Sequence, residues 1–208
     1  MKNVDDLIES AAELAERGLS KGEIADELNV SRETASWLVE RSGRTEPPAQ
    51  RGQPADIHVD WSAIGRDSAR LEHVARAMAA LLRKQGEEID LTVGIEKAGV
   101  PMATMVGREL DTDLCTYAPR KHQWNEGDME DLGGSFSRNF AGIRDRECYV
   151  IDDTVTSGTT MRETIEAIRE QGGEPVACVV LVDKQGVEEI DGVPVYSLVQ
   201  VIPVGSDE

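Results

Sequence analysis

Residues 150–160 read VIDDTVTSGTT: an apolar run, two adjacent carboxylates, then small hydroxylated residues and a glycine that open a helical pattern. A short apolar run bounded by small residues reads as a buried strand. On this reading the strand ends at Ile151, so that Asp152 and Asp153 emerge at the carboxyl edge of a sheet, where open α/β folds bind ligands. The residues that follow let backbone N–H groups converge at a helix N-terminus. Gly158 permits close approach, and Thr154, Thr156, Ser157, Thr159 and Thr160 add hydroxyls, which together make an anion site. The lysine of a nucleotide-binding P-loop is missing. A cradle without it suits a monophosphate, while the carboxylates, being acceptors, suit sugar hydroxyls.

Outward from this stretch, strands alternate with helices. DLTVGI (90–95), DLCTYA (113–118), ECYVID (147–152), PVACVVLVD (175–183) and VPVYSLV (193–199) read as strands, and residues 100–110 and 157–173 as helices. Before them, Leu71, Val74, Ala75, Met78 and Leu82 recur at helical spacing, with Asp67 or Ser68 as a cap. This alternation predicts an α/β fold, a parallel sheet flanked by helices. Between the second and third strands, residues 119–146 form a polar, Gly-rich stretch whose length marks a functional or disordered loop.

The first 44 residues have a different pattern, three short helical periods at 4–17, 21–28 and 32–41. Ala25 is small where two helices would cross, and Asn29 falls four residues later at a turn needing a left-handed backbone. Val30 plugs the core, Ser31 caps the next helix, and Ala35 and Leu38 face inward. This is the spacing of a helix-turn-helix, which predicts a small all-α domain that binds double-stranded DNA. An amphipathic hairpin without a DNA role has the same period, so turn, cap and small residue carry the distinction. Ser31, Arg32, Thr34 and Ala35 are expected near base edges, and Arg41 and Arg44 near phosphates. Trp37 is expected to pack. Residues 1–30 hold three bases against eight acids, whereas residues 31–44 hold Arg32, Arg41 and Arg44 against Glu33 and Glu40. The stretch 42–56, with three prolines and two glycines, reads as a linker. The expected domains are therefore 1–44, a linker at 45–57, and 58–208.

The 208 residues carry a net charge of −18, with 16 arginines, 6 lysines and acids spread along the chain. A spread acidic excess suits a salt-rich cytoplasm, where the Debye length is about 3 Å at 1 M, although an ordinary acidic protein has the same sign. Acidity in such a medium does not exclude a nucleic-acid partner. No apolar run approaches the roughly 20 residues of a membrane helix and no signal-peptide pattern opens the chain, so a cytoplasmic location without membrane contact is expected. Cys115, Cys148 and Cys178 are odd in number and set in apolar stretches, and read as buried reduced thiols.

YVIDDTVTSGTT resembles the phosphoribosyl-diphosphate signature of type I phosphoribosyltransferases. The resemblance implies that Asp152 and Asp153 meet the ribose 2- and 3-hydroxyls and that the loop through Thr160 holds the 5-phosphate. VGIEKAGVPMAT (93–104) resembles the same family's pyrophosphate loop, which places Glu96, Lys97, Ala98 and Gly99 at the diphosphate. It implies no cofactor beyond Mg2+ accompanying a diphosphate ligand, and no certain metal site. In the orotate branch a mobile loop carries cations over the transition state. Here Arg120, Lys121 and His122 match it, but Glu126, Asp128, Glu130 and Asp131 stand where further cations are expected. Acids beside a leaving diphosphate oppose transfer. Together the two halves are similar to archaeal orotate phosphoribosyltransferase-like regulators of sugar catabolism genes. That resemblance implies a dimeric, non-enzymatic transcriptional regulator sensing a phosphorylated sugar or nucleotide precursor. The alternative is an active orotate-type transferase in which Asp152, Asp153 and Lys121 are catalytic.

Overall fold

The computed structural model describes residues 4–42, 57–86, 89–119 and 134–202. The chain divides into two compact units, Met1–Ala63 and Ile64–Glu208.

The first unit holds α1 (Val4–Glu16), α2 (Lys21–Glu27) and α3 (Arg32–Ser42), with the single turn α4 (Ser62–Gly65) at its boundary with the second. Leu7, Ala11 and Leu14 of α1 meet Ile24, Ala25, Leu28, Val30, Ala35 and Leu38 in one core. The α2–α3 connection is tight because Asn29 adopts φ +52°, a left-handed geometry that asparagine tolerates better than most residues. Val30 then donates its N–H to the Ala25 carbonyl at 2.9 Å. The ring of His58 contacts the carbonyl of Leu28, the residue that ends α2.

The second unit is a seven-stranded sheet in the order β3-β2-β1-β4-β5-β7-β6. Its strands are β1 (Leu91–Ile95), β2 (Asp113–Ala118), β3 (Ser135–Phe136), β4 (Glu147–Val155), β5 (Glu174–Asp183), β6 (Glu189–Ile190) and β7 (Val193–Gln200). The five inner strands pair in parallel, as the near-continuous apolar runs predict. The two-residue strands β3 and β6 were not anticipated, and they pair antiparallel at either edge. Elements so short carry no apolar period to read.

Helices α5 (Ser68–Arg83) and α6 (Gly99–Leu110) cover one face, and α7 (Thr159–Glu170) the other. Alternation along β1 shows why both faces are closed: Val93 joins the cluster containing Met161, Ile165 and Ile168 of α7, whereas Gly94 lies beneath Ala103 of α6. A Cβ on Gly94 would stand 2.8 Å from both the Ala103 Cβ and the Val100 Cα, so glycine sets how closely α6 lies on the sheet. Ile165 and Ile168 are fully buried, and burial of side chains this size stabilises by about 1.5–3 kcal/mol each. The three cysteines are free and buried in the sheet. Desolvation raises all three thiols, Cys115 to about 11 and Cys148 to about 12, which keeps them protonated and inert. Among the described residues no helix is long and apolar enough to cross a membrane.

Candidate functional site

β4 corrects the expected strand end. It continues four residues beyond Ile151, because parallel pairing with β5 persists through Asp152↔Val180, Thr154↔Val182 and Val155↔Asp183. A backbone that still has ladder partners has no reason to leave the sheet. The two acids therefore belong to the strand's last turn of pleat and alternate in environment, Asp152 half-buried and Asp153 only 8% exposed. Asp152 Oδ1 accepts the Asp153 N–H at 2.9 Å, and the Thr154 hydroxyl donates to Asp153 Oδ2 at 3.2 Å.

Beyond β4, Thr156 and Ser157 lead to Gly158, whose φ of +73° turns the chain into α7. No side chain caps this helix. The nearest approach is Ser157 Oγ, 3.5 Å from the Thr159 N–H, while the Ser157 and Thr159 hydroxyls lie 2.9 Å apart. The orphan N–H groups of the first turn and the positive end of the helix dipole thus face outward among exposed or half-buried Ser157, Thr159 and Thr160.

A second uncapped helix opens nearby. After β1 the chain turns through half-buried Glu96, exposed Lys97 and half-buried Ala98, with a cis peptide joining Glu96 to Lys97, and α6 starts at Gly99. The Glu96 N–H donates to the Tyr117 carbonyl at 2.8 Å, holding this turn beside the end of β2. Gly99 holds its other side: a Cβ there would be 2.5 Å from the Ile151 carbonyl oxygen and 3.2 Å from Asp152 Oδ1. The two segments separated by more than fifty residues therefore meet, with the start of α6 seated on the strand that carries both acids.

Sequence reading missed two neighbouring segments, the end of β5 and Tyr117 of β2. Asp183 ends β5 in this region and Lys184 follows it, its N–H donating to the Val155 carbonyl at 3.0 Å. Asp183 is spent on structure, its carboxylate accepting the N–H groups of Gln185, Gly186 and Val187. Tyr117 is the other. Its phenol donates to Glu163 Oε1 of α7 at 3.0 Å and presses on Gly134, joining β2 to the helix that starts at the candidate phosphate loop. Arg120, Lys121 and His122 lie outside the described residues, as does Arg44. No cluster of three metal-ligating side chains occurs among the described residues.

In the first unit the expected nucleic-acid face needs one correction. Ala35 is 0% exposed and belongs to the core, so it has no surface to offer a base edge. Ser31 is chiefly a cap: its Oγ accepts the Thr34 N–H at 3.1 Å and lies 2.9 Å from the Thr34 hydroxyl. Arg32 is exposed, with its guanidinium against Gly22 at the start of α2. Arg41 stacks on Trp37 at 5.1 Å. Lys21, overlooked in the sequence, donates to Ser36 Oγ at 2.6 Å and lies 3.7 Å from Glu40.

Comparison with known proteins agrees with this architecture. The phosphoribosyl transferase domain family matches residues 60–206. The transcriptional regulator GfcR of Halorubrum lacusprofundi is 72% identical over 211 residues, covering 100% of both chains. This chain belongs to the GfcR family. GfcR of Haloarcula marismortui is 71% identical, covering 100% of this chain and 99% of the relative. These GfcR relatives are halophile-associated transcriptional regulators. The fold is that of the enzymes all the same. Adenine phosphoribosyltransferase from Thermoanaerobacter pseudethanolicus superposes with a TM-score of 0.57 at 16% identity, covering 74% of this chain and 93% of that one. At that identity the likeness concerns fold alone.

Proposed function

We propose that this protein is a cytoplasmic, dimeric transcription regulator of sugar catabolism genes that binds double-stranded promoter DNA through α3 and senses a phosphorylated sugar or nucleotide precursor at the carboxyl edge of its sheet. The observation that carries the reading is the meeting of two uncapped helix starts, α6 and α7, on the strand end bearing Asp152 and Asp153, in a chain of a regulator family. Uncapped N–H groups take phosphate oxygens, and the acids take ribose hydroxyls. Those roles need no chemistry on the ligand. A diphosphate ligand would bring Mg2+ with it, and Lys97 with Glu96, Ala98 and Gly99 would then hold the diphosphate. A two-fold dimer would select half-sites about 10 bp, or a multiple of that, apart.

Sensing requires the ligand to bind two states of the protein with different affinity, and couplings of this kind are about 5- to 150-fold. Binding of the full chain to promoter DNA, followed by fluorescence anisotropy in molar KCl, tests this. Phosphoribosyl diphosphate or ribose 5-phosphate is expected to change the affinity of the wild type and to leave Asp153→Asn unmoved. An unchanged affinity in the wild type with every phosphorylated sugar would sink the sensor reading. Mg2+-dependent release of diphosphate at about 1 s⁻¹ or faster would instead favour the orotate-type transferase.

A further inference from the structure

Burial of Ala35 and Leu38 fixes which side of α3 faces the core. At 3.6 residues per turn the opposite side carries Glu33, Ser36 and Glu40, with Trp37 at its edge, where it also packs against the core. Exposure agrees, since Glu33 and Glu40 are exposed and Ser36 and Trp37 half-buried. The centre of the outward face is therefore acidic, while the cations lie at its margins: Arg32 against Gly22, Lys21 on Ser36, and Arg41 stacked on Trp37. The two acids differ. Glu40 lies 3.4 Å from Ser36 Oγ and 3.7 Å from Lys21 Nζ. Glu33, in the first turn, has no ion pair or side-chain hydrogen bond among the described residues.

We infer that Glu33 is a specificity-determining residue of the DNA head and reads a C·G pair, an inference that rests on the proposed DNA-binding role of α3. A helix laid in the major groove presents the first turns of its outward face to base edges, and its marginal cations reach the phosphates on either side. A carboxylate in that position can only accept hydrogen bonds. Cytosine offers the N4 amino group alone, whereas guanine shows acceptors at O6 and N7, thymine shows O4 and a methyl, and adenine pairs its amino donor with an acceptor. Glu33 thus accepts from the cytosine amino group, is repelled by the acceptor edges of guanine and thymine, and meets adenine with one donor offset by one acceptor. Arg32, expected to read bases, becomes a phosphate contact.

Selection from a pool of random duplexes by the full-length wild type and by Glu33→Gln, in molar KCl, tests the assignment. The wild type is expected to enrich a cytosine at one position of each half-site. Glu33→Gln, whose amide can pair both N6 and N7 of adenine, is expected to change preference at that position alone, cytosine over adenine falling by roughly 10- to 100-fold. Because Glu33 is exposed, the variant keeps its fold, which circular dichroism checks. Identical sites for wild type and Glu33→Gln would overturn the Glu33 assignment and leave DNA binding standing. If the wild type enriches no site, the DNA-binding role fails and the assignment falls with it.

Discussion

The helices of this protein open in two ways. Among the described residues, α2, α3 and α5, away from the end of β4, satisfy their own first turn with a side chain. Ser20 and Glu23 form a reciprocal capping box on α2, Ser31 caps α3, and Asp67 accepts the N–H groups of Ala69 and Arg70 on α5. The two that start at the end of β4 do not: Ala98 and Gly158 precede α6 and α7 without a side-chain cap. A cap removes an orphan donor, and leaving it out keeps that donor for something else. On the proposed function, the difference separates helix starts closed by their own side chains from helix starts left for a phosphorylated ligand.

The largest test of that contrast is Gly99→Ala. With a methyl driven towards the Ile151 carbonyl and the Asp152 backbone, the start of α6 must move off β4. Overpacking of this kind costs about 1–3 kcal/mol, read as a shift in the denaturation midpoint together with loss of stabilisation by ribose 5-phosphate. Ser31→Ala follows. It removes a working cap and is expected to destabilise the helical unit by about 1 kcal/mol without altering the response to phosphorylated ligand. Ser157→Ala inverts that result: with no true cap to lose, stability should stay within about 0.5 kcal/mol, while stabilisation by ribose 5-phosphate weakens in a thermal-shift series. Equal stability losses from the two serine variants would erase the distinction.

The smallest effect concerns acid. Asp67 has its carboxyl held below the ordinary 3.8, chiefly by the Arg70 N–H, with the Arg70 charge and the Ala69 N–H adding to it against partial desolvation. A folded-state value below the unfolded one means that the contribution is present above pH 3.8 and is lost as pH falls through the lower, folded value. Asp67→Asn keeps an N-cap acceptor but cannot titrate. The stability of the variant between pH 5 and 2 should therefore fall slightly less steeply than that of the wild type, as measured by urea denaturation.

Legibility followed the reach of the forces involved. The inner strands were readable because burial on both faces leaves near-continuous apolar runs, and DLCTYA matches β2 residue for residue. The turn at Asn29 and the caps at Ser31 and Asp67 were readable because each is decided within a few residues. The end of β4 was not, since its last four residues are held by pairing with β5, more than twenty residues away. Ala35 cannot both face inward and meet a base edge: the helical period placed it inward, as its burial shows, and only the base-edge expectation failed. Lys21 and Tyr117 left no local signal, and their contacts cross between elements.

By itself the sequence determined that a parallel α/β sheet follows a small helical head, that two acids precede a phosphate-type loop, and that turns and caps fall where they do. These are properties of neighbouring residues: periodicity, backbone preference and the reach of a short side chain. Only the tertiary structure decided that Gly99 seats a second uncapped helix on Asp152, and that the outward centre of α3 is Glu33 with its cations at the margins. Both depend on which atoms exclude which others once distant segments pack, and no local pattern encodes that exclusion.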